Sequence, residues 1–344
     1  MARANSGPPV FTGGPFAFKL LCYTEAMKEE NLLITIGNVY LDRNASGIMS
    51  AGENYLRAGK EYFASSYETV IGGSAVNFAM QAVKLGMRVA FAGRVGDDED
   101  GEEIKRLLSE KGIIPDLVIT GKGDQTSVTV NVILDHNAEF IGVHWGNASR
   151  NLETSQLDLD HSLFQKATAV YFGGTAKQPH IFTSLPSLLR RLHDMGKKVI
   201  LDPNRLPIDH VSDARETFLE SLQYVDCYLP NEEEIKGATM QEDVDAAMNI
   251  VMEKGVKMLV VKKGANGCRV KTATEDISLP GFSVTPKTTV GAGDSFNSGF
   301  ITQLLAGKSL SECARYANAV AAVKVRDTSI PTTEQVEEFL KENS

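Results

Sequence analysis

The stretch TTVGAGDSF, residues 288–296, stands immediately before an amphipathic helical pattern. The small residues Gly291, Ala292 and Gly293 allow backbone N–H groups to approach an anion closely, and the following helix adds the partial positive charge of its N-terminus. A carboxylate at Asp294 would point into the same site, where it can accept a proton from an attacking hydroxyl. Alternatively, the turn only starts a helix that Asp294 caps. The stretch alone leaves both interpretations open.

Two further glycine turns lie earlier in the chain. GGSAVN (72–77) opens a helix with a glycine pair, and its Asn77 offers both a donor and an acceptor to a hydroxyl. GRVGDDEDG (93–101) is a strand-to-helix turn with glycine at three positions. Asp42 follows closely after Gly37, which ends the first predicted strand near where a polyol could bind. Together these turns favour a ligand site at 288–296 over a simple helix start.

Short apolar runs alternate with helical patterns from residue 32 onward. Several runs are apolar on both alternating faces, which is typical of strands covered on both sides. Most helical patterns between them end in a glycine suited to a helix C-cap. The predicted strands include LLITIG (32–37), RVAFAG (88–93), ATAVYFGG (167–174), KKVILD (197–202), YVDCYLP (224–230) and VKMLVVKKG (256–264). This alternation predicts an α/β fold with a mostly parallel sheet wrapped by helices.

Two regions, 44–71 and about 120–150, interrupt the alternation and are richer in Gly, Ser and Thr. In the second region, SVTVNVIL (127–134) followed by AEFIGVHW (138–145) predicts a β-hairpin. We interpret both regions as segments of a small β-rich lid that folds over one large α/β domain spanning 32–344. Residues 1–31, where Gly and Pro are frequent, are expected to form a flexible tail.

The composition excludes several classes of protein. Of 344 residues, 42% are hydrophobic and 23% are charged, which is close to the average for a soluble globular protein. The formal net charge of −9 opposes binding to nucleic acid. No apolar run of about 18 residues occurs, so no membrane span is expected. The four cysteines and six histidines are scattered without metal-ligand spacing. We expect a cytoplasmic protein with reduced cysteines.

The ordered glycine turns resemble those of the ribokinase family, the PfkB-type carbohydrate kinases. TTVGAGDSF resembles the family's second signature, and GGSAVN and GRVGDDEDG resemble its amino-terminal motifs, in the expected order. LPNEEE (229–234) matches its N-x-x-E element, and KKGANG (262–267) matches its nucleotide-side glycine turn. The resemblance covers residues 32–341. It implies a three-layer sandwich with a mostly parallel central sheet and a small β-rich lid.

The resemblance implies phosphoryl transfer from ATP to a sugar hydroxyl, often an exocyclic CH₂OH. Asp294 is then the catalytic base, and the N–H groups of Ala292, Gly293 and Asp294, in the turn that begins at Gly291, form the anion hole. Glu234 is expected to organise Mg²⁺, through water. Sugar-binding roles fall on Asp42, Gly72, Gly73 and Asn77, and nucleotide-side roles on Asn231, Lys262, Gly264, Gly267 and Asn318. For Glu234, an ordinary solvated carboxylate in an acidic run is the alternative.

The sequence departs from the family pattern at two places. Many relatives have an Asp where this chain has Thr288, and that carboxylate helps to hold a monovalent cation, so activation by potassium is in doubt. DPNRLP (202–207) resembles the D-P-N-x-R stretch of keto-deoxy-gluconate and fructose kinases, but Leu206 replaces the arginine. Arg205 either substitutes for it or is an exposed residue at the end of a strand.

The identity of the substrate depends mostly on the lid. Thr126, Asn131 and Trp145 are candidate contacts, although a hairpin aromatic more often packs in a dimer or lid contact. The lid has few basic residues, which favours a neutral or singly acidic sugar such as ribose, fructose or 2-keto-3-deoxygluconate over a sugar phosphate. Two alternatives stay open: a nucleoside kinase on the same fold, and a non-catalytic scaffold. A homodimer formed through the lid is also expected.

Overall fold

The structure is a computed structural model that describes residues 32–48, 59–134 and 140–343. The predicted tail 1–31 lies outside the described residues, as do residues 49–58 and 135–139 of the predicted lid. Within the described ranges, no helix is both long and apolar enough to cross a membrane.

A nine-stranded sheet forms the centre of the fold, with the strand order β13-β12-β11-β10-β9-β8-β1-β4-β5. The seven strands from β11 to β5 in this order run parallel to one another. The other two, β12 and β13, are paired antiparallel at one edge of the sheet. The strands are β1 (Leu32–Gly37), β4 (Arg88–Gly96), β5 (Ile113–Gly121), β8 (Ala169–Gly173), β9 (Lys198–Asp202), β10 (Cys227–Tyr228), β11 (Met258–Lys262), β12 (Cys268–Thr272) and β13 (Asp276–Leu279).

Alternating strand residues send apolar side chains to both faces of this sheet. In β1, Leu32, Ile34 and Ile36 pack into one buried cluster, whereas Leu33 packs into the cluster on the other face. Both faces are therefore covered by helices, and this is why the parallel strands appear as continuous apolar runs in the sequence. The predicted α/β layering is confirmed.

Helices cover the two faces in separate groups. One face is covered by α3 (Ser162–Lys166), α4 (Pro179–Thr183), α5 (Leu185–Asp194), α6 (Ala214–Ser221), α7 (Glu232–Thr239) and α8 (Val244–Glu253). The other is covered by α1 (Ser74–Lys84), α2 (Glu99–Glu110), α9 (Ala292–Leu305) and α10 (Leu310–Asp327), with α11 (Thr333–Glu342) packed on α10.

A second, four-stranded sheet lies beside the first, with the order β3-β2-β6-β7. Its strands are β2 (Tyr40–Ile48), β3 (Ser66–Gly72), β6 (Val128–Leu134) and β7 (Phe140–Trp145). β6 and β7 form an antiparallel hairpin, as predicted, whereas β2 and β6 pair in parallel. Most of this sheet comes from the two regions that interrupt the α/β alternation in the sequence.

Candidate active site

The site lies where the central strands end and helix α1 begins. A Cβ added to Gly37, at the end of β1, would lie 2.0 Å from the carbonyl oxygen of Gly173 and 2.6 Å from the Cβ of Ala75. Only glycine fits such an approach, so the first turn of α1 rests directly on the strand ends. Open α/β sheets bind their ligands at this carboxyl end of the strands.

Helix α9 brings Asp294 to the first turn of α1. Ser74 Oγ donates to Asp294 Oδ1 at 2.7 Å, and Asn77 Nδ2 donates to Asp294 Oδ2 at 3.3 Å. Ser74 and Asn77 lie 220 and 217 residues before Asp294 in the chain, so these hydrogen bonds join the two glycine-rich stretches at one carboxylate. Asp294 and Asn77, two of the residues selected from the sequence, are brought together here.

Burial raises the pKa of Asp294 to about 7. The hydrogen bonds from Ser74 and Asn77 and the charge of Lys262 favour the ionised form and oppose this rise, while the negative charge of Asp202 adds to it. A carboxyl group with a pKa near neutrality can take up a proton from a hydroxyl and release it again under physiological conditions.

The turn from Gly291 to Asp294, called the anion turn below, has two backbone donors without an acceptor among the described residues. Gly291 begins α9 in the left-handed region, with φ of 74°. The N–H of Ala292 donates to the carbonyl of Thr289 at 3.2 Å, so it is occupied in this structure. The N–H groups of Gly293 and Asp294 have no acceptor within the described part of the chain. They point, with the helix N-terminus, to a place that suits an anion.

A buried ion pair lies next to this turn. Lys262 Nζ is 2.8 Å from Asp202 Oδ2, and a Cβ added to Gly293 would lie 3.6 Å from the same Nζ. The Asp202 carboxylate also accepts from Asn297 of α9 and from the backbone N–H of Asn204. The carboxylates of Asp202 and Glu234 raise the pKa of Lys262 despite its burial, so its ammonium group is charged. The sequence places Lys262 on the nucleotide side, and the structure places it against the anion turn.

Asn231 and Glu234 form a capping box at the start of α7. Asn231 Oδ1 accepts from the N–H of Glu234, and Glu234 Oε2 accepts from the N–H of Asn231, both at 2.8 Å. Burial and the charge of Asp202 raise the pKa of Glu234. Glu234 is therefore a half-buried carboxylate rather than a fully solvated one, and the charge of Lys262 opposes the rise in its pKa. Arg205 is exposed but near enough for its charge to lower this pKa.

The residues predicted for the nucleotide side form a turn beyond β11. Gly264 (φ of 56°) has open space at its Cβ position, so a ligand can approach its backbone. Gly267 (φ of 87°) is packed, because a Cβ there would lie 2.1 Å from the carbonyl oxygen of Leu279. Asn318 Nδ2 donates to the carbonyl of Pro280 at 3.1 Å. Asn318 thus holds the segment on which Gly267 packs, and its amide nitrogen is already bonded.

Asp42 and the glycine pair lie together on the other side of Asn77. A Cβ added to Gly72 would lie 2.0 Å from Asp42 Oδ2, so the carboxylate lies directly over Gly72. Gly73 has φ of 113°, which L side chains rarely adopt. Burial raises the pKa of Asp42, and a hydrogen bond with Thr129 opposes this rise. The structure therefore places Asp42 against the glycine pair that precedes α1, the helix that carries Asn77.

The face of the four-stranded sheet that carries Asp42 has mainly polar side chains, together with Val70, which pairs with Asp42, and Ile133. Thr129 Oγ1 lies 3.2 Å from His144 Nδ1, and Asn131 Nδ2 donates to Asn44 Oδ1 at 2.9 Å. Trp145 lies on the opposite face, because it pairs with Val128 while Asp42 pairs with Thr129. The buried Thr126 is bonded to Asp98 and the N–H of Gly96. Of the three candidate contacts, only Asn131 lies on the face that carries Asp42.

Several residues of the site are not among those predicted from the sequence. Ser74 lies inside the GGSAVN motif, and its hydroxyl next to a glycine pair was the available signal. Tyr171 is stacked on Phe78, with ring centroids 3.6 Å apart, and its hydroxyl accepts from Asn297 Nδ2 at 3.1 Å. No local pattern marks Tyr171 or Asn297: Tyr171 lies within an apolar strand and Asn297 within a helical pattern, and the contacts of both depend on the tertiary structure.

Known proteins match the chain over nearly its whole length. Residues 31–334 match the family described as pfkB family carbohydrate kinase. A ribokinase from Haemophilus influenzae is 28% identical over 307 residues, which cover 87% of this chain and 96% of the relative. A probable chloroplastic fructokinase-6 from Arabidopsis thaliana is 31% identical over 299 residues, which cover 80% of this chain and 76% of the relative.

Solved structures share the fold. A putative ribokinase II from E. coli superposes with a TM-score of 0.78 at 20% identity, and the match covers 91% of this chain and 99% of that one. An Arabidopsis thaliana ribokinase complexed with ribose and ATP superposes with a TM-score of 0.73 at 24% identity, covering 90% and 99%. The three-layer ribokinase-like fold implied by the sequence motifs is confirmed.

Proposed function

The chain belongs to the pfkB family of carbohydrate kinases, and on this premise we propose that it transfers the γ-phosphoryl group of ATP to a hydroxyl of a small sugar. The acceptor is an exocyclic CH₂OH of a sugar such as ribose, fructose or 2-keto-3-deoxygluconate. The observation that carries the proposal is the Asp294 carboxylate, held by Ser74 and Asn77 beside the free N–H groups of the anion turn.

Asp294 acts as the base in this proposal. Asp42, Gly72, Gly73 and Asn77 hold the sugar so that its hydroxyl faces Asp294. As the hydroxyl oxygen attacks the γ-phosphorus, its proton passes to the carboxylate and the bond to the ADP oxygen breaks. A pKa of about 7 suits this transfer, because half of the carboxyl groups are ionised at neutral pH.

The anion turn and Lys262 stabilise charge on the phosphoryl group. Phosphoryl transfer requires mainly positioning and electrostatic stabilisation of the equatorial oxygens. The N–H groups of Gly293 and Asp294 are fixed by the helix, and the Lys262 ammonium group is fixed by Asp202. These donors need little reorganisation when the charge develops. Ala292 joins them if its hydrogen bond to Thr289 opens.

ATP and Mg²⁺ fit the remaining residues. The open backbone at Gly264, the packed turn at Gly267 and the nearby Asn318 border the nucleotide. Burial and the nearby Asp202 carboxylate raise the pKa of Glu234 although Lys262 opposes the rise, so a cation held through water would further offset the negative charge of the two carboxylates. When bound, Mg²⁺ would neutralise phosphate charge. Asn231 fixes the position of Glu234 through the capping box.

A direct test measures ATP consumption over a panel of pentoses, hexoses, keto-deoxy acids and nucleosides. The Asp294→Asn variant is expected to lose at least about a thousandfold in kcat, within the range of general-base and positioning effects. Asp116→Asn, which changes an exposed carboxylate on the edge strand β5, serves as the matched control. Turnover of no compound by the wild-type chain, or full activity in Asp294→Asn, would refute the proposal.

The nucleoside-kinase alternative is less well supported. A nucleobase needs an apolar slot, whereas on the face of the second sheet that carries Asp42 the apolar Val70 and Ile133 are outnumbered by the polar Thr129, His144, Asn44 and Asn131. The scaffold alternative requires a degenerate site, yet the carboxylate, its two donors and the free N–H groups are all present. It would be favoured only if Asp294→Ala abolished phosphoryl transfer and kept the full biological activity.

The outer face of the second sheet supports a homodimer through the lid. Val130, Ile141, Val143 and Trp145 share the face opposite Asp42 and are exposed, Trp145 by 63%. Adjacent exposed apolar side chains mark an interaction surface, and a second copy of the same sheet provides a matching one. Sedimentation at micromolar concentration is expected to give a dimer for the wild-type chain and a monomer for Trp145→Glu. A wild-type monomer would overturn this proposal.

A further inference from the structure

The carbonyl end of helix α10 lies against the loop that leads into the anion turn. Val325 O accepts from the N–H of Lys287 at 2.8 Å and from the N–H of Thr288 at 3.3 Å. The end of a helix carries a partial negative charge on its last carbonyl groups. Placed beside a phosphate site, such an end would repel the ligand unless a positive charge intervened.

The side chain of Lys324 lies between the carbonyl end of α10 and the anion turn. Its Cε is the nearest heavy atom to a Cβ built on Gly291, at 3.6 Å, so the end of this side chain reaches the first residue of the anion turn. Its Nζ donates to the carbonyl of Thr328, the C-cap residue of α10. The ammonium group is thus tied to the helix end and held next to the turn.

Lys324 has no negatively charged partner among the described residues. The neighbouring Arg326, by contrast, forms a bidentate pair with Asp327, at 2.8 and 2.7 Å. Lys324 is half-buried, and desolvation by burial lowers its pKa, with no carboxylate to offset it. A lysine that served only the solubility of the surface would extend into water. One hydrogen bond to a carbonyl leaves the positive charge available to the anion turn.

We propose that the ammonium group of Lys324 takes the place of a bound monovalent cation. It neutralises the carbonyl end of α10 and stabilises negative charge on the phosphoryl group held at the anion turn. The inference rests on the proposed function, which it deepens. Lys324 acts as a positioning residue through Gly291, and the chain then needs no small monovalent cation bound at this place. An ordinary C-terminal lysine that only satisfies a helix carbonyl would stabilise the fold without affecting the chemistry.

The test compares the wild-type chain with Lys324→Met and Lys324→Arg, with Lys308→Met as the matched control before the other end of α10. Activity is measured in tetramethylammonium, sodium, potassium and ammonium chloride at equal ionic strength. We expect wild-type activity to differ by less than about twofold among these salts. Lys324→Met should lose at least about tenfold in kcat/KM for ATP in tetramethylammonium chloride, or about 1.4 kcal/mol of transition-state stabilisation. Potassium or ammonium chloride should raise the activity of Lys324→Met several-fold. Lys324→Arg should keep most of the wild-type activity.

Three results would overturn the proposal: a wild-type chain that requires potassium, a Lys324→Met variant as active as Lys308→Met, or a loss that is the same in every salt. The last result, with a lower melting temperature, would identify an ordinary structural lysine. If the wild-type chain phosphorylated no sugar, the proposed function would fail separately. The same variants and salts are then compared by calorimetric titration with a non-hydrolysable ATP analogue, where tetramethylammonium should weaken binding only to Lys324→Met.

Discussion

Removing the hydroxyl of Ser74 should shift the pH dependence of the reaction to higher pH. Ser74 Oγ donates to Asp294 Oδ1 at 2.7 Å, and this bond favours the ionised carboxylate, whose pKa is already raised by burial to about 7. A hydrogen bond to a charged group contributes about 1.5–3 kcal/mol. Because Asn77 still donates to the other oxygen, we take the lower end of this range for Ser74→Ala, which corresponds to a rise of about one pKa unit.

The size of the effect follows from the fraction of ionised carboxylate. With a pKa of about 7, half of the Asp294 side chains are ionised at pH 7, and with a pKa near 8 the fraction is about one tenth. For Ser74→Ala we therefore expect kcat/KM to fall about fivefold at pH 7 and less than about twofold at pH 9. The assay is the acid limb of kcat/KM between pH 5.5 and 9.5 at saturating ATP.

A nearby hydroxyl provides the control for this experiment. Ser298 Oγ donates to the backbone carbonyl of Asp294 at 3.0 Å, one turn further along α9, and it does not touch the carboxylate. Ser298→Ala should therefore leave the acid limb where it is in the wild-type chain. A limb that stayed in place in Ser74→Ala, or a loss of equal size at pH 7 and pH 9, would refute the reasoning.

Three further predictions concern the sugar side, the buried ion pair and stability. Gly72→Ala would bring a Cβ to 2.0 Å from Asp42 Oδ2, so steady-state kinetics should show KM for the sugar rising at least about tenfold and KM for ATP unchanged. Lys262→Met leaves the Asp202 carboxylate buried without its cation and should destabilise the protein by about 3–5 kcal/mol in urea unfolding, whereas a double variant with Asp202→Asn should recover part of this loss. Asp294→Asn should raise the melting temperature at pH 8 but not at pH 4. Because its pKa is raised, the Asp294 carboxyl group binds its proton more tightly in the folded state than in the unfolded state. This group therefore lowers the stability of the wild-type chain as the pH rises from about 4 to 7. An equal shift in melting temperature at both pH values would contradict the last prediction.

The central sheet was predictable because its strands are buried on both faces. Runs such as Leu32–Gly37 have no polar side, and each is separated from the next by a helical pattern, so periodicity identifies both. Three strands towards the two edges of this sheet, β5 on one side and β12 and β13 on the other, are not among the predicted strands. In β13, for example, exposed and half-buried residues alternate over only four positions, and a short polar strand resembles a loop. The parallel pairing of β2 with β6 depends on how the second sheet folds together, and no local pattern encodes it.

For the site, the sequence identifies the residues that lie in glycine-rich turns, and it misses the residues that support them. Asp294 and Asn77 stand out because a glycine turn opens each of their helices. The pair between Lys262 and Asp202 joins two strand ends that are 60 residues apart, and the bond between Asp202 and Asn297 spans 95 residues. Such contacts exist only once β9, β11 and α9 are packed, so the sequence selects Lys262 but not its pairing with Asp202, and Asn297 becomes visible only in the structure.

These supporting residues explain how an acidic chain can bind a polyanion. The net charge of −9 is spread over a surface whose distant charges are screened beyond about 8–10 Å in physiological salt. The charges that act on a bound phosphate are therefore the nearest ones, and at the anion turn these are the two free N–H groups, Lys262 and Lys324. Asp202, whose carboxylate oxygens are both bonded, holds the ammonium group of Lys262 beside the turn, and the carbonyl of Thr328 holds that of Lys324 there. The overall charge argues against nucleic acid, whose binding requires an extended basic surface. It does not oppose a nucleotide, because attraction at a single phosphate depends on fixed donors within a few ångströms.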